Sequence, residues 1–119
     1  MMGMYILDEN NEPVPCEDVS VWSFWFEDGQ RRVVQQDTVG DVKVSTVFLG
    51  LDHSFGQGKP VLWETMIFGG RYNECQGRYT SHADALKGHA LALAAVKDEA
   101  ATIDVEVIET KGRLTDGKT

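Results

Sequence analysis

The sequence predicts an α+β domain in which an antiparallel sheet of about four to five strands packs against two helices. Three observations predict this class. Two segments, residues 32–39 and 41–49, meet at Gly40, and the second alternates in polarity as a paired strand does. A Gly-rich loop at residues 54–60 leads into a further apolar run at residues 61–68. A stretch rich in Ala and Leu follows Ser81 and predicts a long helix.

The first predicted element is a short edge strand at residues 4–7, followed by a turn of Asp, Glu and Asn residues. Pro13 and Pro15 lack the amide hydrogen that strand pairing uses, so they limit the length of any partner strand. We therefore expect only a short strand and a turn in this part of the chain.

The aromatic segment that follows fits two structures. Three aromatic residues recur at helical spacing, with acidic residues before them and Gly29 behind them, which predicts a helix. These residues are Trp22, Trp25 and Phe26. The same residue types also suit the pleated surface of a strand. The start and stop signals favour the helix, and in either structure we expect the aromatic side chains to lie mainly in the core.

The central strands lead into a polar segment. The run at residues 41–49 becomes apolar on both faces near its end, which predicts that this end is buried. Residues 71–78 are polar and have the length of an ordinary connection between elements. We therefore expect a loop, rather than a strand, at residues 71–78.

The C-terminal helix is predicted to begin at Ser81, whose hydroxyl can cap the first turn, and to end near residue 101. Residues 102–109 alternate between apolar and acidic side chains, which predicts a last strand with one exposed face. The predicted element order is β, α, β, β, β, α, β. We expect a single domain over residues 1–110 and a flexible tail over residues 111–119.

Composition disfavours several classes of function. The net charge of −8 disfavours nucleic-acid binding, because that binding begins with Lys and Arg side chains that neutralise phosphates. The acidic residues show no dense run, which favours a solvated surface over mimicry of DNA. No apolar run approaches the roughly 20 residues that a membrane span requires, and no secretion signal is recognisable. Cys16 and Cys75 have neither metal-site nor redox-motif spacing.

Polar side chains around the Gly-rich loop form the first candidate site. Asp52, His53 and Glu64 could meet across a hairpin, and such groups ligate divalent metals or act as acids and bases. The alternative is structural: Asp52 and His53 bond to loop backbone, while Glu64 pairs with an Arg on the next strand. Their spacing matches no established zinc pattern, so neither a metal nor a cofactor is assigned.

Aromatic residues and a further histidine extend the set of candidates. Trp63 and Tyr72 could line a pocket beside the hairpin, because aromatic faces stack on rings and bases. His89 lies on the predicted C-terminal helix, on the side that also carries Leu86 and Leu93. There it could bind a ligand or bond to a neighbouring side chain. The candidate ligand-binding residues are His53, Trp63, Glu64, Tyr72 and His89.

Three segments of the chain resemble a family of small proteins encoded in bacteriophage and prophage genomes. The segments are YILDENNEPVPCEDV, VGDVKVSTVFLGLDHSFGQGKPVLWETMIFGG and YTSHADALKGHA, and the resemblance covers about residues 4–95. It implies a protein of the infected bacterial cytoplasm. It assigns no catalytic residue to this chain.

We therefore expect a non-enzymatic phage accessory protein that binds a host or phage component, for example to modulate host defence. That component would be a protein or a small ligand. Two alternatives remain open. One is a small metal-dependent hydrolase that uses Asp52, His53 and Glu64. The other is a virion or assembly component, which symmetric oligomers would favour.

Overall fold

The computed structural model has a four-stranded antiparallel sheet, a separate two-stranded sheet and three helices within its described residues. It describes residues 3–56 and 58–112, with side chains up to residue 100. The predicted α+β class is confirmed. The elements are β1 (Tyr5–Leu7), β2 (Pro13–Pro15), α1 (Val19–Glu27), α2 (Gly29–Arg32), β3 (Val33–Val39), β4 (Val42–Phe48), β5 (Trp63–Phe68), β6 (Gln76–Tyr79) and α3 (His82–Gly112).

The two-stranded sheet is an antiparallel hairpin of β1 and β2, with three residues in each strand. The Asp8 carboxylate organises its turn by accepting the amide hydrogens of Asn10 and Glu12. The Tyr5 amide donates to the Gly50 carbonyl at 2.8 Å. This bond joins the hairpin to the segment that follows β4.

Helix α1 forms where the start and stop signals predicted a helix. The Asp18 carboxylate accepts the amide hydrogens of Ser20 and Val21 at 2.9 and 3.3 Å, which satisfies two donors of the first turn. After α1 ends, Asp28 caps the short helix α2 by accepting the Gln30 amide at 3.1 Å. The predicted stop is therefore followed at once by a second, four-residue helix.

The aromatic residues of α1 are divided between the interior and the surface. Trp22 stacks on Phe26 with ring centroids 4.5 Å apart, and Trp25 meets Phe48 edge-on at 5.6 Å. Phe24 is 73% exposed. The expectation that the aromatic side chains lie mainly in the core is wrong for Phe24, and the other aromatic side chains of α1 are only half-buried, because α1 packs mainly against β1 and α2.

The main sheet is a meander in the order β3-β4-β5-β6, in which each strand pairs with the next along the chain. Its last strand corrects a prediction, since residues 71–78 were expected to form a loop. Gln76–Tyr79 instead pairs with β5, with Arg78 opposite Glu64. The backbone groups of β5 provide the pairing partner, and tertiary pairing of this kind overrides the weak strand propensity of a polar edge segment.

Helix α3 lies across one face of the main sheet and contacts all four strands. Its buried side includes Ala85, His89 and Val96, which recur at helical spacing. Leu86 was predicted on this side but is 41% exposed. The buried side therefore includes Ala85 instead of Leu86, while His89 lies on it as predicted.

The two ends of α3 differ in how well local signals predicted them. The Ser81 hydroxyl accepts the Asp84 amide hydrogen at 3.1 Å, as expected for a capped start. The predicted strand at residues 102–109 is wrong, because these residues continue α3 to Gly112. Adding a residue to an existing helix needs only local hydrogen bonds, whereas a strand needs a partner. Residues 111 and 112 thus belong to α3, and the rest of the predicted tail, residues 113–119, lies outside the described residues.

Although α3 is long, none of the helices in the described part of the chain is long and apolar enough to cross a membrane.

The core lies between α3 and the main sheet and consists of two apolar clusters. The first contains Phe48, Leu62, Trp63 and Ala85, and the second contains Val44, Ile67 and Val96. Between them on β4 and β5 lie Thr46 and Thr65, which are paired directly across the two strands. Both threonines are buried, so a polar layer separates the two clusters.

A close contact between β6 and α3 depends on a glycine. The hydroxyl and ring of Tyr79 occupy the space that a Cβ atom at Gly88 would need. Tyr79 also packs against the first apolar cluster. Gly88 therefore permits a tyrosine to lie between the sheet edge and the helix.

Replacing Gly88 by alanine tests the contact with Tyr79. The same change in an ordinary helix raises the free energy of unfolding, whereas here it should lower it. Gly88→Ala is expected to lower the free energy of unfolding by about 1–3 kcal/mol, the usual cost of overpacking. In an ordinary helix interior the same change stabilises by about 1 kcal/mol. Urea unfolding measures the difference. Tyr79→Phe removes the hydroxyl and should recover part of the cost, whereas a more stable Gly88→Ala protein would contradict the contact.

Candidate functional site

The Gly-rich loop is organised by the first two predicted site residues. The Asp52 carboxylate accepts the amide hydrogens of Ser54 and Val61 at 2.7 and 3.0 Å, which ties the two ends of the loop together. Burial opposes ionisation of Asp52, but these hydrogen bonds outweigh it and hold its pKa below the ordinary value of 3.8. The Nδ1 atom of His53 bonds to the Leu51 carbonyl at 2.8 Å. Both side chains thus serve the backbone of their own loop.

Glu64 is engaged elsewhere. It lies on β5 and accepts a hydrogen bond from the Arg78 Nε atom on β6 at 3.0 Å. Within the described residues, no three His, Cys, Asp or Glu side chains are grouped to hold a metal ion. The structure therefore does not bring Asp52, His53 and Glu64 together, because each has a nearer partner. The observed bonds are those of the structural alternative.

The two aromatic candidates have packing roles. Trp63 is 1% exposed, and its ring meets that of Phe48 at 5.5 Å within the first apolar cluster. Tyr72 is half-buried and packs against the second cluster. Both side chains therefore contribute to the core.

His89 is the predicted residue that lies at the centre of the structure. It is fully buried, and its Nε2 atom lies 2.8 Å from the Asp37 Oδ2 atom. On the other side of the ring, Nδ1 lies 2.7 Å from the Thr46 hydroxyl. That hydroxyl lies 2.5 Å from the hydroxyl of Thr65. We refer to Asp37, His89, Thr46 and Thr65 as the polar chain.

Strand register and helix docking together assemble the polar chain. Thr46 and Thr65 are direct partners across β4 and β5, which places their side chains on the same face. His89 follows Ala85 by one helical turn and therefore points at that face. Asp37 lies on the neighbouring strand β3.

Sequence reasoning identified His89 but missed its three partners. The usable signal was that a threonine interrupts each of two apolar runs, at Thr46 and Thr65. Pairing the runs with these positions in register would have suggested a buried hydroxyl pair. Asp37 gave no such signal, since its segment is polar on both sides.

Asp37 supplies the negative charge at one end of the polar chain. Its hydrogen bonds with His89 and, to a smaller extent, Gln35 hold its pKa below the ordinary value of 3.8, and Lys97 contributes a weaker attraction in the same direction. The carboxylate side chain is 36% exposed. The polar chain therefore runs from a partly solvated carboxylate into the dry interior.

The other end of the polar chain meets a groove between β5, β6 and α3. The groove has a volume of about 180 Å³. Gly77 stands opposite Thr65 in the strand ladder, and the Tyr79 hydroxyl lies in the space that a Gly77 side chain would need. The groove is lined by Thr65, Ile67, Cys75, Gln76, Gly77, Tyr79 and Ala92.

A second feature lies on the surface of the N-terminal elements. Residues 1–30 contain seven acidic residues and neither Lys nor Arg, so they carry −7 of the net charge of −8. Large apolar side chains are exposed in the same region, at Val14, Val19, Val21 and Phe24. We define the α1 surface as Val19, Val21 and Phe24 together with the flanking acids Glu17, Asp18, Glu27 and Asp28.

Comparison of the chain with known protein-family models, with curated proteins and with solved structures finds no significant match. Function is therefore inferred from the polar chain, the groove and the α1 surface.

The hydrogen bond between Asp37 and His89 leads to a pH-dependent prediction. Because folding lowers the pKa of Asp37, its contribution to stability is present above pH 3.8 and is lost as the pH falls through the lower folded value. Asp37→Asn is therefore expected to destabilise the protein most near neutral pH. The difference from the native protein should shrink below pH 3.8.

Urea unfolding at several pH values measures this difference. Asp41→Asn, on the exposed turn between β3 and β4, is the matched control and should cause little loss of stability at any pH. A loss of stability in Asp37→Asn that is equal at neutral and acid pH would contradict the assigned role of the Asp37 charge.

Proposed function

We propose that this chain is a non-enzymatic phage accessory protein that binds a basic segment of a host or phage protein through the α1 surface. The observation that carries the proposal is the exposed apolar side of α1, which lies within residues 1–30, a segment with seven acidic residues that is followed directly by Arg31 and Arg32. The resemblance to phage-encoded proteins supports the cytoplasm of the infected cell as the place of action, and host-defence modulation as one purpose.

The geometry of α1 supports a docking role. Val21 and Phe24 are three residues apart and therefore lie on the same side of the helix. Glu17 precedes the helix and Glu27 is its last residue, so acidic side chains lie near both ends of α1, whereas Asp28 pairs with Arg31 at 3.3 Å. Single exposed apolar residues are common, but a group of them with a polar border is typical of an interaction site.

Charge selects the class of partner. A surface that carries most of the net negative charge attracts basic side chains, which speeds encounter and disfavours acidic partners. Nucleic acid is disfavoured because phosphates would be repelled. An anionic membrane surface is disfavoured for the same reason. A protein segment with both basic and apolar side chains meets both requirements.

The α1 surface is already formed before any partner binds. Asp18 caps the helix, and the Trp22 indole donates to the Gly50 carbonyl at 3.0 Å. The Arg32 guanidinium lies 4.0 Å from the centre of the Phe26 ring on the inner side. A rigid docking surface loses little conformational entropy on binding, which favours affinity.

The arrangement of the polar groups supports a non-enzymatic role. Asp52, His53 and Glu64 are engaged in structural bonds. The hydroxyls of Thr46 and Thr65 belong to residues that are at most 2% exposed, so they are poorly placed to attack a substrate.

The α1 surface predicts selective binding of peptides. The probes are two amphipathic helical peptides with the same apolar side, one with Lys and one with Glu on the polar side. We expect the Lys peptide to bind, more weakly at high salt, and to shift amide NMR signals of residues 14–28. Equal binding of the Glu peptide would contradict the charge argument.

A substitution on α1 tests whether the Lys peptide binds the α1 surface specifically or binds any exposed apolar side chain. Phe24→Ser is expected to weaken binding of the Lys peptide about 10-fold or more, because burying a phenylalanine contributes about 1.5–3 kcal/mol. Leu91→Ser is the matched control, since Leu91 is also 73% exposed but lies on α3. Unfolding measurements should show both variants to be close to native in stability.

The same pair of variants identifies the natural partner. Native protein, Phe24→Ser and Leu91→Ser serve as baits in lysate from infected bacteria. We expect a protein that the native and Leu91→Ser baits retain and the Phe24→Ser bait loses. Recovery of the same proteins on all three baits would contradict docking through α1.

A further inference from the structure

We propose that the outer side of α3 is a self-association surface, on which a second copy of this chain docks with its own α3 antiparallel. The inference is independent of the α1 surface, because the two helices present different residues. It rests on the exposure and composition of the outer side of α3 and on the order of the charges along it.

The side of α3 that faces away from the sheet is poor in charge. A helix on the surface of a protein usually carries charged and polar side chains on its outer side. Within residues 85–96, however, only Lys87 has a formal charge. The exposed side chains of this stretch include Ala90, Ala94 and Leu91, and Leu91 is 73% exposed. Apolar residues on both sides of a helix are typical of one that packs against a partner on each side.

Four exposed residues form a line along this outer side. They are Lys87, Leu91, Ala94 and Asp98. Steps of four, three and four residues place them within about 60° of one another around the helix axis, because each residue turns an α-helix by about 100°. We refer to these four residues as the α3 surface.

The order of residues in the α3 surface is self-complementary. Lys87 and Asp98 lie at its two ends, equally far from its midpoint, and Leu91 and Ala94 lie equally far from the same point. A twofold axis through the midpoint therefore places Lys87 opposite the partner's Asp98 and Leu91 opposite the partner's Ala94. Opposite charges then meet twice, and each leucine meets a small side chain.

The charges also select the direction of the second helix. In a parallel pair of helices, Lys87 would lie opposite the partner's Lys87, and Asp98 would lie opposite the partner's Asp98. Such like-charge contacts disfavour the parallel arrangement. The α3 surface therefore fits an antiparallel copy of itself.

Within one chain, the two charges of the α3 surface lack partners among the described residues. Neither Lys87 nor Asp98 belongs to the ion pairs that these residues form. They do not reach each other, since eleven residues of helix separate them by about 16.5 Å along the axis. A second copy supplies an oppositely charged partner to both.

The size of the contact and the net charge limit the strength of the dimer. A contact of about three helical turns is short beside the interface of an obligate dimer. Two chains of net charge −8 also repel each other, although residues 1–30 carry −7 of that charge and the α3 surface is neutral in sum. We therefore expect a dimer that forms and dissociates as the protein concentration changes.

Charge reversal tests the inference, with sedimentation velocity over a series of protein concentrations as the measurement. We expect the native protein to dimerise at high concentration. Lys87→Glu and Asp98→Lys should each weaken the dimer about 10-fold, because both symmetric ion pairs become like-charge contacts. Asp98→Lys also makes the net charge less negative, so overall repulsion alone would predict a stronger dimer. The double variant Lys87→Glu/Asp98→Lys keeps the native net charge and should restore the dimer.

Two further measurements separate the interface from folding and from the α1 surface. Urea unfolding of dilute protein should show all three charge variants to be close to native in stability, since both residues are exposed. Leu91→Ser should weaken the dimer but still bind the Lys peptide, because it leaves α1 unchanged.

A native protein that stays monomeric throughout the concentration series would overturn self-association and leave the α3 surface to a partner of another kind. A dimer that the single reversals do not weaken, or that the double variant does not restore, would overturn the antiparallel arrangement on α3.

Discussion

The structure depends on the burial of one imidazole between a carboxylate and a hydroxyl. His89 is fully enclosed, and both of its ring nitrogens have partners on the sheet. A buried polar group without partners costs several kcal/mol. If α3 were rotated about its axis by one residue, the His89 ring would face the apolar clusters and lose its polar partners. Ala85 would then turn towards solvent. The polar chain therefore fixes how α3 lies on β3, β4 and β5, in addition to any stability that it contributes.

The features on either side of the polar chain follow from this docking. The first apolar cluster lies towards α1 and the second towards the far part of α3, with Thr46 and Thr65 between them. The helix approaches β6 closely enough that Gly88 accommodates the ring of Tyr79. Opposite Thr65, Gly77 lines the groove and leaves room for the Tyr79 hydroxyl. The same polar layer that positions the helix thus also reaches a cavity at the edge of the sheet.

Most of the net negative charge of the chain lies in the N-terminal residues, outside the main sheet. Residues 1–30 carry −7, whereas the remaining residues, which include the whole main sheet, are nearly neutral in sum. The contact of Trp22 and Phe26 with Gly50 joins the two parts, and Gly50 has a φ of 78° with little space for a Cβ beside the Phe26 ring. This contact fixes α1 against the segment that follows β4, while His89 stays closed to solvent.

The sequence by itself determined the elements that local patterns specify. The α+β class, the hairpin of β3 and β4, and the capped starts of α1 and α3 were predictable, because alternation, helical spacing and capping residues act over a few positions. Only the tertiary structure decided that β6 pairs with β5. The continuation of α3 through residues 102–112 needs only local hydrogen bonds, but the alternating polarity of these residues concealed it. The tertiary structure also decided the candidate site. Asp52, His53 and Glu64 bond to partners 2 to 14 positions away, whereas His89 bonds to residues 43 and 52 positions away in sequence. Strand register and helix docking bring such distant residues together, and a short segment of sequence specifies neither of them.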